Sequence, residues 1–139
     1  GILILLYKLS GLLAPALDVE GRGPDAGAVQ IDHGIFLTVA ENLIGNAARF
    51  ARQKLEITLA PEEAALLLSV ADDGPGFSPE LLKSGPKPFG RTEESGGHFG
   101  MGLYGSGLLC RKHGGGLRLE NRAEGGGIAT ASLKINGTP

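Results

Sequence analysis

Apolar positions recur along this chain with two different periods. Over residues 33–52, HGIFLTVAENLIGNAARFAR, the spacing is helical, and Phe36, Val39, Ala40, Leu43 and Ala47 form one stripe. Over residues 65–72, ALLLSVAD, the period is two, with Leu66, Leu68, Val70 and Asp72 on one face. Residues 2–14 read as a short apolar helix that ends near Pro15 and is weakened by Gly11. Residues 16–20 and 28–32 read as strands around a Gly/Pro/Asp turn, and residues 55–60 pair with 65–72 as a hairpin. A second long helix is predicted over 102–113, closed by the glycines 114–116, with Arg111, Lys112 and His113 in its last turn. Residues 117–121 and 128–135 form a terminal hairpin, with Ala129, Ala131, Leu133 and Ile135 on one face. The stretch 73–99 has little periodicity and is rich in Gly, Pro, Ser and charge, as a functional lid would be. The pattern predicts an α+β fold: a two-layer sandwich of a mixed, mostly antiparallel sheet on about three helices.

Composition narrows this picture. The 139 residues suit one domain with a full core. The net charge of −2, with both signs interspersed, excludes the footprint of a nucleic-acid binder. Cys110 is the single cysteine, so there is neither a disulfide framework nor a cysteine metal site, which suits a reducing compartment. No apolar run approaches the roughly 20 residues of a membrane span. The chain begins at Gly1 rather than Met, which suggests a domain of a longer protein. Glycine is the outlier at 24 residues; without a tripeptide repeat, these mark turns and close backbone approaches.

Three clusters could carry chemistry. Beside the apolar stripe of 33–52 lies a strip of Asn42, Asn46, Arg49 and Gln53, with Phe50 on its border. Amide oxygens can ligate Mg²⁺ and guanidinium suits phosphate; the plain reading is a solvated helix edge. Asp72-Asp73-Gly74-Pro75-Gly76 ends a strand. Asp72 then sits at the rim of an apolar face, where a buried carboxylate needs a donor such as the adenine amine. Asp73 points the other way, toward solvent. The plain reading is a strand-ending Asp-Gly turn. Gly100-Met101-Gly102-Leu103 opens the second helix, where backbone amides bind phosphate well. The GxGxxG spacing of Gly100, Gly102 and Gly105 lacks the preceding strand of a dinucleotide fold. None of His33, His98 and His113 sits in a triad or a metal-spaced cluster.

Taken in order, these motifs resemble the catalytic ATP-binding domain of bacterial sensor histidine kinases, in the superfamily shared with gyrase and a heat-shock chaperone. Each motif is weak alone; their order and spacing, over residues 17–135, are specific. Asn42-Leu43-Ile44-Gly45-Asn46-Ala47 resembles the family's asparagine box. The resemblance puts Mg²⁺ on Asn46, a phosphate contact on Arg49 and an adenine-lining ring at Phe50, and makes Asn42, Asn46 and Arg49 the catalytic set. Asp72, Gly74 and Gly76 fall on the first glycine box, with Asp72 reading adenine and Phe77 following it in the nucleotide-binding set. Phe89 and Arg91 resemble the phenylalanine box, and Gly100, Met101, Gly102 and Leu103 the second glycine box.

The resemblance implies ATP and Mg²⁺ between the helices 33–51 and 102–113, under a lid at about 77–99. It also implies transfer of the γ-phosphoryl to a histidine on a separate dimerisation domain of the same protein, with a response regulator downstream. The chain itself is then a monomeric, cytoplasmic, single catalytic domain over 1–139 whose parent can be membrane-anchored. Two departures stand out. His98-Phe99 replaces a customary glycine, and Asn42 stands where gyrase-type ATPases carry a general-base glutamate. Helical geometry turns the adjacent Glu41 well away from Asn46. Two rivals remain: a serine-kinase anti-sigma factor, which would carry that glutamate, and a non-catalytic nucleotide-binding scaffold.

Overall fold

In the computed structural model the described residues are 2–13, 15–22, 32–62, 64–86 and 99–135. They form α1 (Ile2–Leu13), β1 (Asp18–Arg22), α2 (His33–Phe50), β2 (Lys54–Pro61) and β3 (Ala65–Asp72). These are followed by α3 (Pro79–Ser84), α4 (Phe99–Lys112), β4 (Gly116–Asn121) and β5 (Gly127–Lys134). The five strands make one sheet in the order β1-β2-β3-β5-β4. β1 runs parallel to β2 (Val19 opposite Leu55); every other pair is antiparallel. This is the expected two-layer, mostly antiparallel α+β sandwich, its sheet mixed through the parallel pairing of β1 with β2.

The helices cover one face of the sheet, and the core lies between the layers. Phe36, Val39, Leu43 and Ile44 of α2 are buried against alternate residues of the central strands, among them Ile57, Leu59, Leu66, Leu68 and Val70. Burial of each large aliphatic side chain contributes about 1.5–3 kcal/mol, so this stripe is what seats α2. Asp32 caps α2, its Oδ1 accepting from the Ile35 N–H at 3.0 Å. Leu103 and Cys110 bury the inner face of α4. The opposite face of the sheet is polar and concave, a depression of about 580 Å³ floored by Thr58, Ser69 and Thr130. At the outer edge of β1, the Tyr7 hydroxyl accepts from the Gly21 N–H at 2.9 Å and donates to its carbonyl at 3.4 Å. That satisfies part of an edge that would otherwise be open to pairing.

Four expectations need correction. α2 ends at Phe50, because Ala51 turns extended (φ −64°, ψ 143°), so Gln53 leaves the polar strip. α4 starts at Phe99, three residues before the predicted start, which puts Gly100 and Gly102 inside its first turn. The stretch 77–99 is not aperiodic throughout. Ser78 caps α3, accepting from the Leu81 N–H at 3.1 Å, with Pro79 in the first turn. Asp32, placed at the end of a strand by the sequence reading, is the cap of α2 instead; the remainder of that strand, 28–31, lies outside the described residues.

Candidate functional site

The inner face of α2 carries polar residues only near its C-terminal end. Asn46 is 7% exposed, and among the described residues nothing hydrogen-bonds its side-chain amide. Among those residues its amide is therefore available to a ligand. One turn earlier, the Asn42 Nδ2 donates to the Ser106 Oγ of α4 at 3.0 Å. Ser106 is fully buried, so this bond fixes α2 against α4. Gly102 of α4 approaches the same Asn42 side chain. Arg49 is exposed one turn beyond Asn46, and Phe50 is half-buried at the helix end.

β3 delivers Asp72 to the same end of the molecule. It continues the buried face of Leu66, Leu68 and Val70, as the alternation predicts, and is 5% exposed. Its Oδ1 accepts from the Gly74 N–H at 2.8 Å, and the Gly127 amide adds a favourable interaction with its charge. Burial pushes its pKa up from the ordinary 3.8; the Gly74 and Gly127 amides pull it back, Asp73 pushes it further, and Arg122 opposes. The result is a desolvated acceptor on a rigid main chain.

The loop after Asp72 is packed backbone to backbone. A Cβ at position 74 would lie 2.1 Å from the Phe50 carbonyl oxygen, so only glycine lets the loop touch the end of α2. Gly76 has a φ of +87°. The Phe77 N–H then donates to the Asn121 Oδ1 at 2.7 Å, and the Asn121 Nδ2 donates back to the Phe77 carbonyl at 3.0 Å. The Phe77 ring lies over Gly127 of β5.

The sequence-predicted residues therefore fall into three groups. Asn42, Asn46, Arg49 and Phe50 lie along the last turns of α2, and Asp72, Gly74, Gly76 and Phe77 lie on the loop packed against its end. Gly100, Met101, Gly102 and Leu103 begin α4; Leu103 is buried in the core and Gly102 faces Asn42. Phe89 and Arg91 lie outside the described residues. Three participants escaped the sequence reading. Asp73 is at the surface but not merely solvated. Its Oδ1 accepts from the Arg52 N–H at 2.7 Å and its Oδ2 from the Gln53 N–H at 3.1 Å. Desolvation alone would raise its pKa, but these amides outweigh it and the net shift is downward. Asn121 clamps Phe77, and Ser106 receives Asn42. The spacing Leu103, Ser106, Cys110 follows a helical face and was the available sign that the Ser106 hydroxyl is buried.

An amide-bearing stretch of α2 and a sheet-borne carboxylate thus lie near one another, with the glycine-containing start of α4 beside α2. The sequence model of the histidine kinase-, DNA gyrase B-, and HSP90-like ATPase family matches residues 32–137, and the chain belongs to that family. Its curated relatives are sensor histidine kinases. It is 34% identical over 90 residues to the sensor histidine kinase CpxA of Escherichia coli, covering 62% of this chain and 20% of that protein. The chain spans about a fifth of the length of curated relatives such as these. By fold it is similar to the nucleotide-free catalytic domain of the histidine kinase ThkA, with a TM-score of 0.78 at 23% identity, covering 94% of this chain and 91% of that one. It is also similar to full-length ShkA in complex with AMPPNP, with a TM-score of 0.82 at 21% identity, over 100% of this chain and 31% of that one. It is thus a catalytic ATP-binding domain of the sensor histidine kinase type. Among the described residues, no helix is long and apolar enough to cross a membrane.

Proposed function

We propose that this domain binds Mg-ATP between α2 and α4 and presents the γ-phosphoryl group to a histidine on a separate dimerisation domain of the same protein, which then serves a response regulator. Asp72 accepts from the exocyclic amine of adenine. Phe50, Gly74, Gly76 and Phe77 shape the wall around the base, with Gly74 bringing the loop onto the end of α2. Arg49 and Arg91 contact phosphate oxygens, and the first turn of α4, at Gly100, Met101, Gly102 and Leu103, offers its backbone amides to the same group.

The open amide of Asn46 fits a cation carried on the triphosphate. Among the described residues no cluster of three His, Cys, Asp or Glu competes for that role. A hard cation of this kind takes one or two protein oxygens and fills its shell with phosphate and water. Bound there, Mg²⁺ supplies neutralisation of the charge developing on the transferred group. The chain supplies position. Asn42 holds α4 through Ser106 and, as an amide, cannot take a proton from water. Glu41 is exposed on another face. This supports transfer to a supplied acceptor over hydrolysis.

The observation that carries the reading is Asp72: an acid 5% exposed, held by main-chain amides, at the end of a strand next to the asparagine-bearing helix. GTP presents a carbonyl where ATP presents an amine, which would set an acceptor against that carboxylate. Competition against a fluorescent ATP analogue is expected to show ATP displacing the probe at least about 100-fold better than GTP. The Asp72→Asn variant should lose most of that preference. Equal competition by the two nucleotides in the parent chain would remove adenine reading from Asp72.

A further inference from the structure

Asp72 needs its carboxylate aimed, and what aims it lies behind the sheet. Arg122 sits at the exit of β4, with its side chain 18% exposed. The Arg122 Nη1 donates to the Asp72 carbonyl at 3.4 Å. The Arg122 Nη2 meets the Glu124 Oε2 at 2.8 Å and the Glu56 Oε2 of β2 at 3.5 Å. The turn that carries Arg122 is closed on itself: the Arg122 N–H donates to the Gly126 carbonyl at 2.8 Å, and the Gly125 N–H to the Arg122 carbonyl at 3.1 Å. The far end of this turn is against Asp72 too. A Cβ at position 126, where φ is +95°, would lie 1.9 Å from the Asp72 carbonyl oxygen.

We infer that Arg122 is a positioning residue for base recognition: the turn 122–127 holds the Asp72 main chain, its guanidinium bonded to the Asp72 carbonyl and its Gly126 packed directly on the same group. This rests on the reading of Asp72 as the adenine acceptor. The fork geometry suits the task, because one guanidinium can reach a carbonyl and a carboxylate at once. Glu56 and Glu124 hold the fork in place, so its orientation is fixed before nucleotide arrives. The charge acts in the same direction as the geometry. Burial and Asp73 favour a neutral Asp72, and Arg122 opposes them from the hairpin side. An ionised carboxylate is the stronger acceptor for an amine, and Arg122 aims the group while favouring that form to a small degree.

The test measures Kd for ATP and GTP from pH 5 to 8 on the 139-residue chain and on Arg122→Gln, Arg122→Lys and Glu124→Gln. Arg122→Gln should lower the preference for ATP over GTP about fivefold at pH 7.5, the size of one hydrogen bond. In the same variant, the loss of ATP affinity on acidification should begin at a higher pH. Arg122→Lys keeps the charge without the fork and should fall between the two. Glu124→Gln loosens the fork while leaving Arg122 and Glu56 in place, and should lower the preference by less than Arg122→Gln does. An Arg122→Gln chain with unchanged preference and unchanged acid midpoint overturns the inference, whatever its thermal stability. Should that variant not fold, Arg122→Lys decides: a preference equal to the parent's overturns it. A parent chain with no preference for ATP overturns the reading of Asp72 first, and this inference with it; the parent measurement alone distinguishes that case.

Discussion

Two glycine-rich segments flank α2, and they use glycine for different reasons. In the loop after β3, a side chain at position 74 would collide with the Phe50 carbonyl, so the residue is demanded by the fold itself. In the first half of α4 the fold makes no such demand. A Cβ at Gly105 would meet nothing within 4 Å, and one at Gly102 would make ordinary contact with Asn42 at 3.8 Å. A helix with glycine at such positions is less stable than one with alanine by about 0.5–1 kcal/mol at each. On the proposed reading, the part of the site that takes adenine is therefore built before nucleotide arrives. The α4 end gives up stability for something the unliganded domain does not need.

The largest effect that would break this contrast is at position 74. Gly74→Ala forces the loop away from the end of α2, and with it the bond from the Gly74 N–H to Asp72. We expect a loss of about 3 kcal/mol in urea unfolding, in the range of overpacked core substitutions, together with loss of ATP binding. A variant with the parent's midpoint would show that the loop is free to yield, and that the adenine end is no more rigid than the other.

Asp73 sharpens the contrast with a smaller effect. It ties the loop to the start of β2 through the Arg52 and Gln53 amides. Its folded pKa is lowered relative to the ordinary value of 3.8, so it contributes stability that is present above that value and lost as pH falls through the lower, folded one. Asp73→Asn should cost about 1 kcal/mol at pH 7, a modest figure because the carboxylate is at the surface. The gap between variant and parent should close on acidification below the ordinary value. Unfolding midpoints that stay equally separated from pH 7 to pH 2.5 would refute the electrostatic part of this account.

Periodicity carried the layers and much of the cleft into view. Alternation in 65–72 put Asp72 on the buried face, and the helical stripe of 33–52 placed Asn46 beside the core, because both are local consequences of a single element's geometry. Partners across the chain were out of reach. Ser106 lies 64 residues from Asn42, and Arg122 lies 50 from Asp72. No repeat in the sequence links either pair. The place of β1, parallel beside β2, depends on sheet order, which a hydrophobic pattern does not specify. α3 was missed for another reason: six residues are too few for a helical period to show. Its Ser78-Pro79 start was nevertheless a readable capping signal.

The smallest effects separate two glycines on one helix. Gly105→Ala and Gly102→Ala should each stabilise the nucleotide-free domain, by about 0.5–1 kcal/mol, since the added methyl meets open space in one case and ordinary contact in the other. Their effects on nucleotide binding should diverge. Gly102 lies in the first turn of α4, where the backbone amides are not used by the helix itself, and a methyl there would stand between those amides and a phosphate. Gly105 is almost one turn further along, past the unpaired amides. Calorimetric titration with ATP should give Gly105→Ala the parent's affinity and Gly102→Ala an affinity lower by about tenfold. ADP should lose less than ATP does, if the lost contact is to the terminal phosphate. Gly102→Ala binding ATP as the parent does would leave the glycine at that position unexplained by nucleotide. An equal loss in both variants would instead point to a cost from stiffening α4 as a whole, with no dependence on which amides meet the phosphate.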